Sequence, residues 1–198
     1  MKKLSTKEIR TIKKRLINTF NDATKKDIAD GIKWYADANE ICNNLAVKYD
    51  TDVYIVASVL SALSPRNKWS KNIIDTETVL KAYKNNVSAE NIKVSTFHSN
   101  KFKAFNILKG NISITDNSLK TFNFVHNIAY LDASSLTVDI WHIRASLGKK
   151  VKIDNAQIGR TAYNQIKELT INTANELGIK GYEFQAIIWL VTQRNYNK

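Results

Sequence analysis

Leu136-Thr137-Val138-Asp139-Ile140-Trp141-His142-Ile143-Arg144-Ala145 sets one acidic residue between an apolar, β-branched lead-in and a run at helical spacing. An aspartate in that position is expected to accept a backbone amide of the following turn and so begin a helix. Gly148 follows as a stop. Upstream, Lys120 stands near the start of another amphipathic segment.

The same helical period recurs on both sides. Ser5-x-x-Glu8 forms a capping box ahead of Ile9, Ile12, Leu16 and Ile17. A second helix is predicted from about Ile32 to Tyr49. Asp52 caps an apolar helix, Val53 to Leu63, which Pro65 stops. Another runs from about Lys68 to Tyr83. A helix from about Asn100 to Leu108 ends at Gly110. Asp116 or Asn117 caps the next, which carries Leu119, Phe122, Val125, Ile128 and Ala129. Asp154 opens a helix from Ala156 to Leu177, stopped by Gly178, and a last helix covers Tyr182 to Gln193. One proline and six glycines leave few tight turns, which argues against a β-rich chain. The expectation is an all-α protein of roughly nine helices, as one domain over residues 1–198.

Composition narrows the function. The hydrophobic fraction is 43%, yet no apolar run approaches membrane-spanning length. Met1-Lys2-Lys3-Leu4-Ser5 is basic with no apolar run behind it, so no secretory leader is expected. Cys42 is the only cysteine, which excludes an intrachain disulfide, a cysteine zinc site and an iron–sulfur cluster held by one chain. A monomer in a reducing cytoplasm is the expectation. Thirty Lys+Arg against 18 Asp+Glu give a net charge of +12, which suits a polyanion, most often nucleic acid, or a merely solvated lysine-rich surface.

An amine and a carboxylate are what cleavage of a nucleotide's glycosidic bond requires. The carboxylate stabilises the positive sugar that develops as the base departs. A lysine amine can attack C1′ and form a Schiff base, provided that burial or a cationic neighbour keeps it partly neutral. Lys120, beside Leu119, Phe122 and Phe124, is expected to be desolvated in this way.

Lys120…Val138-Asp139-x-x-His142-x-Arg144 resembles the helix–hairpin–helix superfamily of base-excision DNA glycosylases, which includes endonuclease III and 8-oxoguanine DNA glycosylase. Val56 to Asn67 resembles that family's apolar helix and the turn that fills the gap left by a flipped base. Lys103-Ala104-Phe105 resembles the segment ahead of its hairpin, placed here at about residues 100–131. The family hairpin usually reads Leu-Pro-Gly-Val-Gly, whereas Ile114-Thr115-Asp116-Asn117-Ser118-Leu119 has no glycine.

The resemblance implies a two-lobed helical bundle with duplex DNA, carrying an altered base, in the cleft between lobes. It implies Asp139 as catalytic carboxylate and Lys120 as nucleophile of an associated lyase step. DNA contacts would come from Arg66, Asn67, Asn117, Ser118, Leu119, His142 and Arg144. Phe124, Asn127, Gln185 and Trp189 would line the base pocket. No cofactor or metal is implied beyond a monovalent cation at the hairpin. The alternative is a non-catalytic DNA-binding protein with the same fold.

Each of these residues also has a plainer reading. Asp139 is a helix cap in either case. Lys120 can be one surface lysine among many, and His142 can be packed by Trp141 and Ile143. Ser64-Pro65-Arg66-Asn67-Lys68-Trp69 is either a helix corner or a loop entering the duplex. Trp34-Tyr35 and Trp189 fit a core as well as a stacking surface, and Gln185 fits packing as well as a base edge.

Overall fold

The computed structural model describes residues 3–148 and 158–196. Among these residues all regular structure is helical. The helices are α1 (Thr6–Asn21), α2 (Lys25–Tyr49), α3 (Val53–Leu63), α4 (Trp69–Lys84), α5 (His98–Leu108), α6 (Leu119–Tyr130), α7 (Ile140–Leu147), α8 (Arg160–Glu176) and α9 (Gly181–Tyr196). Short 3-10 turns cover Ala89–Asn91 and Asp116–Ser118. No described helix is long and apolar enough to cross a membrane.

Local chemistry explains most boundaries. The Ser5 hydroxyl accepts from the Glu8 amide at 3.3 Å, and the Ser5 amide donates to the Glu8 carboxylate at 2.8 Å. Asp52 accepts from the Tyr54 amide at 2.7 Å. Gly110 at φ +74 and Gly178 at φ +71 lie just past α5 and α8, in the left-handed conformation that ends a helix.

Some starts differ from expectation. Helix α2 begins at Lys25, well before Ile32. Thr24 and Asp27 bond reciprocally there, at 2.8 and 3.1 Å, and cap a first turn with little apolar signal. Asp116 and Asn117 form a 3-10 turn instead of capping α6. The expected cap Asp154 lies outside the described residues.

The chain divides into two compact units, residues 1–37 with 131–198 and residues 38–130. In the first, α1 packs on α7, α8 and α9, and α9 packs on α7 and α8. Ile12, Leu16, Ile166, Phe184, Ile187 and Ile188 are buried. Each contributes roughly 1.5–3 kcal/mol relative to exposure. Gly31 of α2 sits against the α9 backbone at Ile187. The Leu4 amide and carbonyl both bond the Gln165 side chain, at 2.7 and 3.1 Å, which fastens the start of the chain to α8.

In the second unit α3 is apolar nearly all round, and every residue from Val56 to Leu63 is buried. Helices α4, α5 and α6 pack on it. Asn39 donates to the Ile128 and Ala129 carbonyls at 2.8 and 3.1 Å, satisfying the open end of α6. Cys42 is buried like a small apolar residue, and burial pushes its thiol up to about 12.

Candidate functional site

The residues leading into α7 form no regular structure, with Asp139 itself extended at φ −92, ψ −176. Tyr163 of α8 fixes them: the Val138 amide donates to its hydroxyl at 3.1 Å, and that hydroxyl donates to the Leu136 carbonyl at 3.1 Å. This clamp delivers Asp139 to the first turn of α7. Its Oδ1 accepts from the His142 amide at 2.9 Å, so the expected cap is present.

Around Asp139 lies a polar cluster that sequence spacing does not reveal. The buried Tyr35 hydroxyl donates to Gln185 Oε1 at 2.8 Å and also interacts with the Thr137 side chain. Burial, with the Asp139 charge nearby, drives the Tyr35 hydroxyl well above the tyrosine range. It remains a proton-bearing donor. Aromatic rings flank it: Trp34 at 4.7 Å edge-on and Tyr182 at 5.6 Å, with Trp189 a further 6.2 Å from Trp34. Trp34 and Trp189 are half-buried. The structure therefore joins Gln185 and Thr137 to Tyr35, puts Asp139 near enough to act on Tyr35 electrostatically, and links Trp189 to Tyr35 through Trp34.

His142 corrects an expectation. It is fully buried and does not reach a solvent-side phosphate. The Thr170 hydroxyl donates to the Ile166 carbonyl at 2.7 Å, so it accepts from His142 Nε2 at 3.0 Å. Nδ1 has no hydrogen-bond partner among the described residues. Burial lowers the imidazole pKa to about 4. The folded chain thus resists protonation that the unfolded chain accepts near 6.5. Stability is expected to fall by about 2–3 kcal/mol between pH 7 and 4.5 on this account. Denaturant titrations at both pH values check it: His142→Gln should lose that much less over the interval, and an equal loss would refute the assignment.

Arg144 is a second correction. Only 6% exposed, its guanidinium stacks on Trp141 at 4.7 Å and Tyr196 at 4.3 Å. Its planar face is covered by rings instead of being presented to a phosphate.

The other expected residues belong to the 38–130 unit. Lys120 is exposed on the first turn of α6, without the burial expected of an amine nucleophile. Asn117 and Ser118 are exposed in the 3-10 turn, and the Ser118 hydroxyl donates to Thr121 at 3.1 Å. Leu119 and Phe124 are half-buried, and Asn127 is fully buried.

The Ser64–Trp69 turn is braced from inside. Buried Asp75 accepts from Asn67 Nδ2 at 2.8 Å and from the Ser95 amide at 2.8 Å. Thr96 donates to the Pro65 carbonyl at 3.0 Å. Asn67 is thus committed to holding the turn. Arg66 is exposed on the turn, as are Pro65 and Lys68, and it stands at φ +55 with its guanidinium 5.7 Å from the ring of the 52%-exposed Phe97. A left-handed arginine is uncommon, and these anchors over-determine it. Nothing in the sequence singles out Asp75, Phe97, Thr137 or Tyr163, because each acts on partners distant along the chain. No group of three or more His, Cys, Asp or Glu among the described residues could hold a metal ion.

An all-helical protein emerges, with a carboxylate fixed at a helix start beside a buried tyrosine–glutamine pair. The chain belongs to a family of unknown function (DUF7178), whose model matches residues 1–196. No curated protein and no solved structure matches it.

Proposed function

We propose that the protein is a DNA glycosylase that excises a damaged or modified base extruded from duplex DNA. The observation that carries this reading is Asp139. Its carboxylate is pinned through Oδ1 by the first turn of α7 and stands next to the Tyr35–Gln185–Thr137 cluster, with half-buried Trp34 and Trp189 alongside.

In this reading Asp139 stabilises positive charge at C1′ as the glycosidic bond lengthens. It takes the proton of a water whose oxygen bonds to C1′ while the base leaves with the electron pair. Gln185 and Trp189 contact the extruded base by hydrogen bonding and stacking. Arg66, Asn117, Ser118 and Lys120 lie where solvent can reach them and serve phosphate contact. A helix–hairpin–helix motif near residues 100–131 and the two-lobed plan with its DNA cleft are parts of the same proposal. The exposure of Lys120 favours hydrolysis over the lyase route.

The experiment is a panel of duplexes, each with one altered base, scored for free base and for alkali-labile sites. Release from one member supports the reading. Binding with no product from any member sinks it in favour of a non-catalytic DNA-binding protein. Borohydride trapping decides the lyase step: no covalent adduct is expected, and an adduct abolished by Lys120→Gln would restore Lys120 as nucleophile.

A further inference from the structure

On α1, Lys7, Arg10 and Lys14 fall at i, i+3 and i+7, on one face of the helix. All three are exposed and lie opposite buried Ile12 and Leu16. Together with Thr6 and Thr11 they line a shallow depression of about 540 Å³. The one acidic residue of α1, Glu8, is held in the capping box with Ser5.

Some surface cations pair with carboxylates. Lys13 bonds Glu176, Lys26 bonds Asp30 and Lys48 bonds Glu77, at 2.6–2.7 Å. Lys7, Arg10 and Lys14 have no carboxylate partner among the described residues. Like charges three and four positions apart on a helix repel. The free chain carries that repulsion, and a row of anions would remove it.

We propose that this face of α1 is a docking strip for the phosphate backbone of duplex DNA, separate from the Asp139 cluster. At 1.5 Å rise per residue, Lys7 to Lys14 spans about 10.5 Å. One strand of a duplex carries a phosphate every ~3.4 Å of axis, so three cations meet about three phosphates. A membrane surface fits poorly. An interfacial helix must offer its apolar face to lipid, and that of α1 is already buried in the packing against α7, α8 and α9. The proposal rests on the DNA-binding part of the function proposed above and not on its chemistry.

The test is the salt dependence of duplex binding by the full chain, read by fluorescence anisotropy from 50 to 200 mM NaCl. Lys7→Gln, Arg10→Gln and Lys14→Gln are combined in one variant, because glutamine keeps helix propensity. Three lost phosphate contacts lower the slope of log K against log salt by about 2.7. The wild-type affinity then falls about 40-fold more than the variant's over that range. A control with Lys26, Lys48 and Lys180, which pair with Asp30, Glu77 and Glu183, changed to Gln should keep most of the slope, and thermal melts check that both variants fold.

An unchanged slope in the α1 variant overturns the strip while leaving base excision untouched. A lowered slope with no excision of any base upholds the strip and overturns the glycosylase. No duplex binding by the wild type overturns both. So does α1-dependent binding to anionic lipid vesicles in place of duplex.

Discussion

Asp139→Asn is expected to lower base excision about a thousandfold while moving Tm by no more than about 2 °C. The two effects separate because Asp139, in the proposed glycosylase, has two jobs. As a cap it needs only an oxygen to accept from the His142 amide, and asparagine caps as well as aspartate. As a catalyst it needs a negative charge facing the developing cation, and a neutral amide provides none. Losses of about 10²–10⁴ are usual when a charged or proton-accepting group of this kind is removed. The rate is read on whichever duplex of the panel yields product, and Tm by circular dichroism. Excision within tenfold of wild type would remove Asp139 from the chemistry. A large drop in Tm would mean that the charge is needed by the fold.

Gly31→Ala is expected to lower Tm by about 6 °C. A Cβ at Gly31 would meet the Ile187 amide nitrogen at 2.8 Å and its Cα at 2.9 Å, besides the Ile187 side chain. Backbone atoms of a buried helix cannot swing aside as a flexible side chain does, so α2 or α9 must shift. Overpacking of this kind costs about 1–3 kcal/mol or more. Alanine's better helix propensity returns only about 1 kcal/mol. With roughly 2–4 °C of Tm per kcal/mol at this chain length, a net loss near 2 kcal/mol gives the stated shift. Gly110→Ala is the control. It meets nothing within 4 Å and suffers only its positive φ, so about 1–2 kcal/mol is expected. If Gly31→Ala melts at or above wild type, the helices do not approach as described.

Helices α3 and α7 show why so much of the architecture was legible. Asp52 and Asp139 each bond an amide two or three residues onward, and Gly110 and Gly178 adopt the left-handed conformation their positions predict. These are local events, governed by a 3.6-residue period and by what a side chain can reach within one turn. Where the apolar period was weak the start was missed, as at Lys25, and where a turn tightened to 3-10 the cap was misassigned, as at Asp116.

The candidate site was legible only at its anchor. Asp139 could be named from its neighbours, and so could its association with a helix start. His142 and Arg144 could not be placed, because one position on a helix can face water or core depending on what packs there. Thr170 and two aromatic rings decided both. Lys120 failed in the opposite sense: apolar neighbours in sequence did not bury it.

By itself, then, the sequence determined the helical class, most helix ends, the basic surface and the carboxylate at the head of α7, since each depends on residues within a turn of one another or on simple counting. The tertiary structure alone decided which polar atoms meet. Tyr163 clamps the lead-in to α7, Tyr35 joins Gln185, and Asp75 holds Arg66 in its turn. Those partners lie 8 to 150 positions apart, and only the burial of apolar faces brings them within hydrogen-bonding distance.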